Sequence, residues 1–380
     1  MEAPFIFGKI AQGANFTDRE EETKHLDTNF SAGINTILIS PRRWGKSSLV
    51  QKASEITMKK DKKIKFCFID LFNVRSEEQF YNLLAEEIIK SASPKWAVRV
   101  ENTKKFITRF IPKITYSPSP DNNFSLGLDW REVKKNPDEI LDLSENIAKE
   151  NDFRIIICID EFQNISTFDN PLAFQKKLRS HWQKHQHSTY CLYGSKRNMM
   201  LEVFASSSMP FYKFGDIMFL HKISEKHWIS FIVKRFSDTG KEISPELAQK
   251  IIRLAEMHPY YVQQLSQLTW FRTKKKCVPI DITAAFESLA LQLSLLFQNM
   301  TDNLSRSQVN FLQAVIEEVE KLSSKETLQH YKMGTSANIL RIKQALYHKE
   351  IIETDEHKII FQDPIYKYWL KKYFFVHLRN

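Results

Sequence analysis

Ser-Pro-Arg-Arg-Trp-Gly-Lys-Ser, at residues 40–47, is the stretch that decides the fold. The short apolar run at residues 36–39 before it is typical of a buried parallel strand, and residues 47–50 after it can begin a helix. A strand, a tight loop and a helix in this order form a phosphate-binding loop, because backbone N–H groups and the helix N-terminus then surround the phosphates. In such a loop Lys46 reaches the β- and γ-phosphates of a nucleotide, and the hydroxyl of Ser47 binds Mg²⁺.

The loop departs from the usual pattern at its first position. A glycine normally stands five residues before the Gly-Lys pair, and this chain has Ser40 there. The alternative interpretation is an ordinary strand-to-helix turn that binds nothing. We predict that the nucleotide is bound by the whole run, which comprises Ser40, Pro41, Arg42, Arg43, Trp44, Gly45, Lys46, Ser47 and Ser48.

A second buried-strand pattern ends in two carboxylates. Residues 154–159 are almost entirely apolar, and Asp160 and Glu161 follow them. Charges at the carboxyl end of a central strand are costly unless they meet a cation, a ligand or water. We therefore expect Asp160 to hold Mg²⁺ together with Ser47, and Glu161 to activate the attacking water. Taken alone, the same pattern also fits a helix cap.

Three further strand patterns accompany these two. Residues 189–193 end in Gly194 and Ser195, whose hydroxyl is expected to sense the γ-phosphate, although a serine at a strand end is commonly a cap or turn residue. Residues 65–70 and 217–220 complete a set of strands that alternates with helical segments. The sequence thus predicts an α/β fold with a parallel sheet and a ligand at the carboxyl ends of the strands. The predicted catalytic residues are Lys46, Glu161 and Ser195.

These motifs resemble a known family, the prokaryotic and archaeal ATPases of the AAA+/STAND group. The resemblance rests on the loop at residues 40–47, on Asp-Glu-Phe-Gln at 160–163, on Gly194-Ser195 and on Met-His-Pro-Tyr-Tyr at 257–261. It covers nearly the whole chain. It implies an AAA+-like P-loop NTPase whose cofactors are ATP and Mg²⁺.

The same resemblance implies further contacts with the nucleotide. Phe16 and Arg19 belong to a segment similar to the family's entry motif beside the adenine, with Asp18 in place of a glycine. Pro259 matches the proline that packs on the base, although the family's Gly-x-Pro is Met-His-Pro here. A hairpin insertion is expected at about residues 106–130, from the pattern at 111–116 that leads into 124–128.

An arginine that could act on the nucleotide is missing from its usual place. Family members often carry one after a Pro-aromatic-Tyr stretch, and this chain has Lys213 there. Lysine is a point charge without the planar fork of arginine, so it is the weaker candidate. Arg197 and Arg235 are the other candidates, with a surface or structural role as the alternative for each.

The pattern divides the chain into three predicted domains. Residues 1–224 form the P-loop ATPase domain, and residues 225–299 form a helical lid and connector, with one helix expected at 282–299. Residues 300–380 contain three capped helical segments and two strand patterns at 351–353 and 358–361, which together predict a winged helix.

Composition agrees with a globular protein of several domains. The chain has 380 residues, of which 42% are hydrophobic, and a formal net charge of +10. Three of its 4 cysteines fall in predicted strands, which indicates buried apolar fillers rather than a disulfide framework or a zinc site. No apolar run is long enough for a membrane helix, and we expect a cytoplasmic protein without a membrane partner.

The function predicted from these observations is that of a switch ATPase. Mg-ATP would control the lid and the winged helix, which would engage double-stranded DNA or a protein effector. Arg341, Lys343 and His348 on the third helix suit DNA, whereas the acidic wing at residues 353–356 argues for packing against protein. ATP or ADP is the expected ligand and homo-oligomerisation is open. The alternative is a nucleotide-binding scaffold with negligible turnover.

Overall fold

The computed structural model describes residues 3–92, 109–110, 116–118, 126–128, 130–355 and 358–377. The chain forms two compact units, one of Arg19–His221 and one of Met1–Asp18 with Lys222–Asn380.

The unit Arg19–His221 is built on a parallel sheet. The strands of this unit are β1 (Thr36–Ile39), β2 (Ile64–Asp70), β3 (Tyr116–Pro118), β4 (Leu126–Leu128), β5 (Arg154–Asp160), β6 (Ser188–Gly194) and β7 (Asp216–Phe219). Five of them form the sheet in the order β2-β5-β6-β1-β7, with every pairing parallel. The predicted α/β fold with a parallel sheet is thereby confirmed. The central strands β5 and β6 are nearly continuously buried, because helices cover both faces of such a sheet.

The strands alternate with helices. The helices of this unit are Glu20–Ala32, Lys46–Lys60, Glu77–Ala92, Trp130–Lys135, Pro137–Leu141, Leu143–Glu150, Pro171–Trp182 and Arg197–Phe204, with a 3₁₀ helix at Phe162–Thr167. Their apolar faces join the strands in one core that includes Phe80, Phe162, Phe174 and Trp182. β3 and β4 pair with each other as an antiparallel hairpin within the expected insertion. Residues 106–108, 111–115, 119–125 and 129, which also belong to that prediction, lie outside the described residues.

The other unit is mainly helical. Its helices are Glu225–Ser237, Pro245–Leu254, Pro259–Arg272, Pro279–Gln292, Ser294–Asp302, Arg306–Ile316, Lys325–His330, Ser336–His348, Pro364–Trp369 and Phe375–His377, with a π-helical turn at Leu370–Phe374 and a short 3₁₀ turn at Gly13–Asn15. Its strands are β8 (Ile352–Asp355) and β9 (Lys358–Phe361), which form an antiparallel hairpin. Of the helices that the structure describes, none is by itself long and apolar enough to cross a membrane. The helices Pro279–Gln292 and Ser294–Asp302 reach that length and apolar composition only together, as a bent pair.

The prediction of a single helix in the connector is wrong. The single helix expected at residues 282–299 is two helices, which meet at a bend of 46° around Leu293. The hydroxyl of Ser294 donates to the carbonyl of Ala290 four residues earlier (3.3 Å), a contact that competes with the helical hydrogen bond and often bends helices. The first helix also starts earlier, at Pro279, because proline suits the first turn and Asp281 accepts the N–H of Val278 (3.1 Å).

The C-terminal part has the elements of a winged helix. Ser305 caps the first helix in a capping box with Gln308, and Ser324 caps the second. The first helix ends at Ile316, and the chain turns at Glu318 with φ 58°. These elements share one hydrophobic core with the lid helices, as in the ring contact of Phe297 with Tyr366 at 5.3 Å.

Candidate functional site

The loop at residues 40–45 joins β1 to the helix Lys46–Lys60. Arg43 and Gly45 have left-handed backbones, with φ of 65° and 89°, and Gly45 accepts the first helical hydrogen bond from Leu49 (2.9 Å). An alternation of left- and right-handed residues turns successive N–H groups inward, and a helix N-terminus adds positive potential. The backbone therefore has the form of an anion-binding loop. Arg42 and Arg43 are exposed, Pro41 is half-buried, and Trp44 is buried.

Ser40 fits its position without a glycine. Its side chain is 1% exposed, and its hydroxyl donates to the carbonyl of Pro41 (3.1 Å). The departure from the usual pattern is therefore accommodated inside the loop.

Ser47 and Asp160 meet at the start of the loop helix and the end of β5. The hydroxyl of Ser47 donates to Asp160 Oδ2 at 2.7 Å, and Lys46 Nζ lies 3.7 Å from Asp160 Oδ1. A hydroxyl and a carboxylate are the oxygen donors that Mg²⁺ prefers. The donor set fits a Mg²⁺ ion that also contacts nucleotide phosphates.

Burial raises the pKa of Asp160, and the neighbouring Glu161 carboxylate adds to the rise, while the Lys46 ammonium and the Ser47 hydroxyl oppose it. Ionisation of Asp160 therefore costs more free energy in the ligand-free fold than it does in water. A cation bound at this carboxylate would remove that disadvantage.

Glu161 stands where the backbone leaves β5 in a left-handed turn, with φ 52°. Its Oε1 lies 3.4 Å from Lys46 Nζ, and its Oε2 accepts the hydroxyl of Ser195 (2.9 Å) and the side-chain amide of Gln163. Burial alone would raise the pKa of Glu161, but the Lys46 charge and these donated hydrogen bonds outweigh it and hold the pKa below its usual value. Glu161 is therefore ionised at neutral pH, as a base for water must be.

The structure brings together five of the predicted side chains, and Gln163 joins them. Lys46, Ser47, Asp160, Glu161 and Ser195 converge at the carboxyl ends of β1, β5 and β6. Ser48, which is buried, follows them on the loop helix.

Gln163 is the residue that sequence reasoning missed, although it stands two residues after Glu161 in the quoted Asp-Glu-Phe-Gln motif. It is fully buried, and its amide donates to Glu161. A Cβ added to Gly194 would lie 1.9 Å from Gln163 Oε1, so any other residue at position 194 would have to displace this amide. The sequence signal for this contact is the Gly-Ser pair at the end of β6. The contact itself joins Gln163 and Gly194, which are 31 positions apart in the chain.

The residues predicted to contact adenine belong to both units. Arg19 is buried with φ 72° and pairs with Glu22 (2.7 Å), and its Nη2 has no hydrogen-bond partner among the described residues. Phe16 closes the short turn at residues 13–15, and Pro259 begins the helix Pro259–Arg272, both in the other unit. Their contact with the base stays a prediction.

The candidate arginines differ in their surroundings. Arg235 donates to the carbonyl of Pro4 (2.6 Å) and to Asn15 Oδ1 (2.7 Å), which is a structural role within its own unit. Arg197 is exposed and lies over the ring of Phe219 at 5.8 Å. Lys213 has φ 53° and lies 5.4 Å from the ring centre of Tyr212.

Comparison with known proteins gives two family matches. A family model described as "ATPase domain predominantly from Archaea" matches residues 16–265. A second, described as "Probable winged helix domain", matches residues 295–372. No curated protein matches the chain.

Solved structures share the fold over its whole length. A Walker-type ATPase of Pyrococcus abyssi has a TM-score of 0.65 at 16% identity and covers 97% of this chain and 99% of its own. The ORC2 protein of Aeropyrum pernix, with ADPNP and ADP, has a TM-score of 0.56 at 11% identity, covering 99% and 100%. The ORC1 protein of Aeropyrum pernix, in complex with DNA, has a TM-score of 0.51 at 11% identity and full coverage of both chains. At these identities the likeness shows the fold alone, an AAA+ P-loop fold with a C-terminal winged helix.

Proposed function

Because the chain belongs to the family of ATPase domains found predominantly in Archaea, and is therefore an ATP-hydrolysing enzyme, we propose that it is a switch ATPase. In this proposal Mg-ATP bound at the loop of residues 40–48 controls the lid helices, and the winged helix engages double-stranded DNA. The scaffold with negligible turnover is set aside, since the family is one of ATPases.

The observation that carries the proposal is the position of Lys46. Its ammonium lies within 4 Å of both Asp160 and Glu161, the two carboxylates that end β5. The phosphates of a nucleotide offer Lys46 stronger and more numerous acceptors. We infer that nucleotide binding draws Lys46 from the carboxylates and leaves Asp160 for the metal and Glu161 for water.

Mg²⁺, when bound by Ser47 and Asp160, would neutralise charge on the β- and γ-phosphates. Ser195 and Gln163 hold Oε2 of Glu161, so the other oxygen, Oε1, is the one that can accept a proton from water once Lys46 has moved. A hydrogen-bonded base that is fixed in this way is oriented for one direction of attack.

DNA is the favoured partner of the winged helix. Arg341 and His348 are exposed on the helix Ser336–His348, and Lys343 is half-exposed. Glu353 on the wing is half-buried, which reduces the acidic surface that opposed this assignment. The net charge of +10 favours a polyanion, and the similar ORC1 protein was solved in complex with DNA. A protein effector is the alternative.

The test is phosphate release from ATP by the full-length protein and by Glu161→Gln, each with and without double-stranded DNA. Glutamine keeps the shape of the side chain but cannot take a proton, so we expect normal ATP affinity and a loss of turnover of about 100-fold or more. Glu55→Gln, at a partly exposed site on the loop helix, is the matched control and should turn over as the wild type does. Equal rates for Glu161→Gln and wild type would refute the role of Glu161, and rates that DNA leaves unchanged would favour an effector.

A further inference from the structure

The N-terminal segment at residues 3–18 belongs to the same unit as the lid helices. Its Phe5 is 2% exposed, and the Phe5 ring lies 6.0 Å from that of Phe231 and 5.8 Å from that of Phe236, both on the helix Glu225–Ser237. Buried aromatic rings contribute strongly to packing. The start of the segment is therefore fixed on the lid.

Arg235, on the same lid helix, bonds to two distant points of this segment. Its Nε donates to the carbonyl of Pro4 (2.6 Å), and its Nη2 donates to Asn15 Oδ1 (2.7 Å). Between these two points, residues 8–10 and 12–14 are exposed. One guanidinium thus closes a largely exposed loop, and closing a loop costs entropy that such contacts must offset.

Gln263 bonds to the backbone of the same segment. It is 7% exposed, its Oε1 accepts the N–H of Ile6 (3.2 Å), and its Nε2 donates to the carbonyl of Asn15 in a long hydrogen bond (3.5 Å). Gln263 stands about one turn into the helix that begins at Pro259. The helix that carries one predicted contact with the base is therefore bonded to the segment that carries the other, Phe16.

Phe16 follows directly on Asn15. Its N–H donates to the carbonyl of Gly13 (3.2 Å), which closes the short 3₁₀ turn, and Phe16 is half-buried. A partly exposed aromatic ring can stack on a nucleobase. A ring that is already held in place loses less entropy when it makes that contact. The bond from Arg235 to Asn15 therefore bears on how well Phe16 can bind a base.

We propose that Arg235 is a positioning residue for base recognition: by fixing Asn15 on the lid, it holds Phe16 ready to contact the adenine of ATP. This role rests on the proposed function, in which Mg-ATP is the ligand. It concerns the base alone, since the phosphates are assigned to the loop at residues 40–48 in the other unit. Arg235 itself does not touch the nucleotide.

The role requires the shape of arginine more than its charge. Nε and Nη2 belong to one rigid plane, so a single side chain can donate to two acceptors in fixed directions, which the ammonium of lysine cannot do. Both acceptors, the Pro4 carbonyl and the Asn15 amide oxygen, are neutral. Asp238 is the acidic neighbour, and it lies 3.9 Å from Nη1 at an exposed site, where an ion pair contributes little.

The first test compares the affinity of the full-length protein for ATP and for inorganic tripolyphosphate, each with Mg²⁺, by isothermal titration calorimetry. Tripolyphosphate offers the phosphates without a base. Arg235→Ala should weaken ATP binding about 10-fold, as expected for a lost stacking contact, and should leave the affinity for tripolyphosphate unchanged. Arg253→Ala is the matched control: it removes an exposed lid arginine and should change neither affinity.

The second test asks whether Arg235 acts through Phe16. Phe16→Ala should weaken ATP binding by about the same factor, and the double variant Arg235→Ala with Phe16→Ala should bind no more weakly than Phe16→Ala, because both changes remove one contact. Asn15→Leu should reproduce the loss, although Arg235 keeps its bond to Pro4. Asn15→Asp retains the acceptor oxygen and should bind ATP as the wild type does.

The folding of the lid is measured separately, by calorimetric unfolding of each variant. Arg235→Ala removes two hydrogen bonds of this unit and would mimic the expected result if it unfolded the lid. Asn15→Leu leaves the Arg235 side chain in place, so it decides the question in that case.

Other results would overturn the positioning role. These are an Arg235→Ala variant that binds ATP as the wild type does, a double variant whose loss is the product of the single losses, and equal losses of affinity for ATP and tripolyphosphate. Slower turnover at unchanged ATP affinity would make Arg235 a finger instead. A wild type that binds tripolyphosphate as tightly as ATP would remove the base contact alone, whereas one that binds neither would refute the proposed ATP site as well.

Discussion

Lys46 holds the ligand-free site together through charge. Its ammonium is buried and faces Asp160 and Glu161, which would otherwise repel each other. The same charge is the one that a nucleotide needs at its β- and γ-phosphates. Loss of Lys46 should therefore affect both the apo protein and its ligand affinity.

We predict that Lys46→Ala lowers ATP affinity by about 100-fold or more, because a charge-assisted contact to two phosphates is removed. Isothermal titration calorimetry with ATP measures the change. Lys59→Ala removes an exposed lysine from the same helix and should bind ATP as the wild type does. If Lys46→Ala kept the wild-type affinity, the assignment of the loop would be wrong.

Asp160 gives a prediction with a definite pH dependence. The pKa of Asp160 is raised in the folded protein. At neutral pH the charge on Asp160 therefore costs more free energy in the folded state than in the unfolded state. Asp160→Asn should raise the melting temperature of the ligand-free protein by a few degrees at neutral pH. The gain should shrink as the pH falls towards 3.8, the usual pKa, because the wild-type carboxyl is then protonated in the folded state as well.

Thermal unfolding over a pH series, without nucleotide, tests the Asp160 prediction. The control is Asp152→Asn, at an exposed carboxylate whose pKa the neighbouring Lys63 lowers, where no gain is expected. A variant at position 160 that melts below the wild type at neutral pH would contradict the sign of the effect.

The meeting of Lys46, Ser47, Asp160, Glu161 and Ser195 follows from the sequence because the carboxyl ends of neighbouring parallel strands meet at one edge. Gln163 could not be assigned in the same way. Its contact depends on the left-handed turn at Glu161 and on the 3₁₀ helix after it, and neither has a periodic pattern in the sequence.

At the scale of elements, the helix Ser336–His348 is the part of the winged helix expected to meet DNA. We predict that Arg341→Ala with Lys343→Ala weakens binding to double-stranded DNA and lowers the slope of log affinity against log salt by roughly one per lost phosphate contact. A fluorescence anisotropy titration at several salt concentrations measures both quantities.

Lys321→Ala with Lys325→Ala is the matched control for the DNA prediction. It removes the same net charge from exposed sites before that helix and should change the slope less. Equal effects of the two double variants would mean that DNA affinity depends on the total charge of the protein and not on this helix.

Element types were predictable, and element breaks were less so. All five strands of the sheet appear within a residue or two of their predicted positions, because buried apolar runs and turn residues mark them. The break at Leu293 cannot be found from periodicity, since apolar residues continue through it and the Ser294 hydroxyl contact that accompanies the bend has no periodic pattern.

At the scale of the whole molecule, the lid and the winged helix share one core. Phe297 contacts Tyr366 and Trp369, Trp369 donates to Ser294 Oγ (2.9 Å), and Tyr261 bonds to Asp363. Local sequence patterns cannot reveal such contacts between distant segments. The predicted boundary at residues 299 and 300 lies inside the helix Ser294–Asp302.

Removal of the residues after Asn299 should therefore destabilise the lid as well as delete the winged helix, because Phe297 and Phe286 lose their ring partners. Each large apolar side chain left uncovered costs about 1.5–3 kcal/mol. We expect the truncated protein to lose its cooperative thermal transition for this unit, measured by calorimetry. A truncated protein that melts as the intact unit does would show that the lid folds alone.

Gly194 has a consequence for how this sequence can vary. A side chain there would collide with the amide of Gln163 and with Met200, where the nearest atoms are 1.9 and 2.8 Å away. Gly194 has no side chain that could supply a charge, a proton or a ligand atom. A library of all single substitutions selected for activity should nevertheless disfavour replacements at position 194, because they would displace the amide that holds Glu161. Interpreted by itself, such a screen would classify Gly194 as a catalytic residue, although it only leaves room for Gln163.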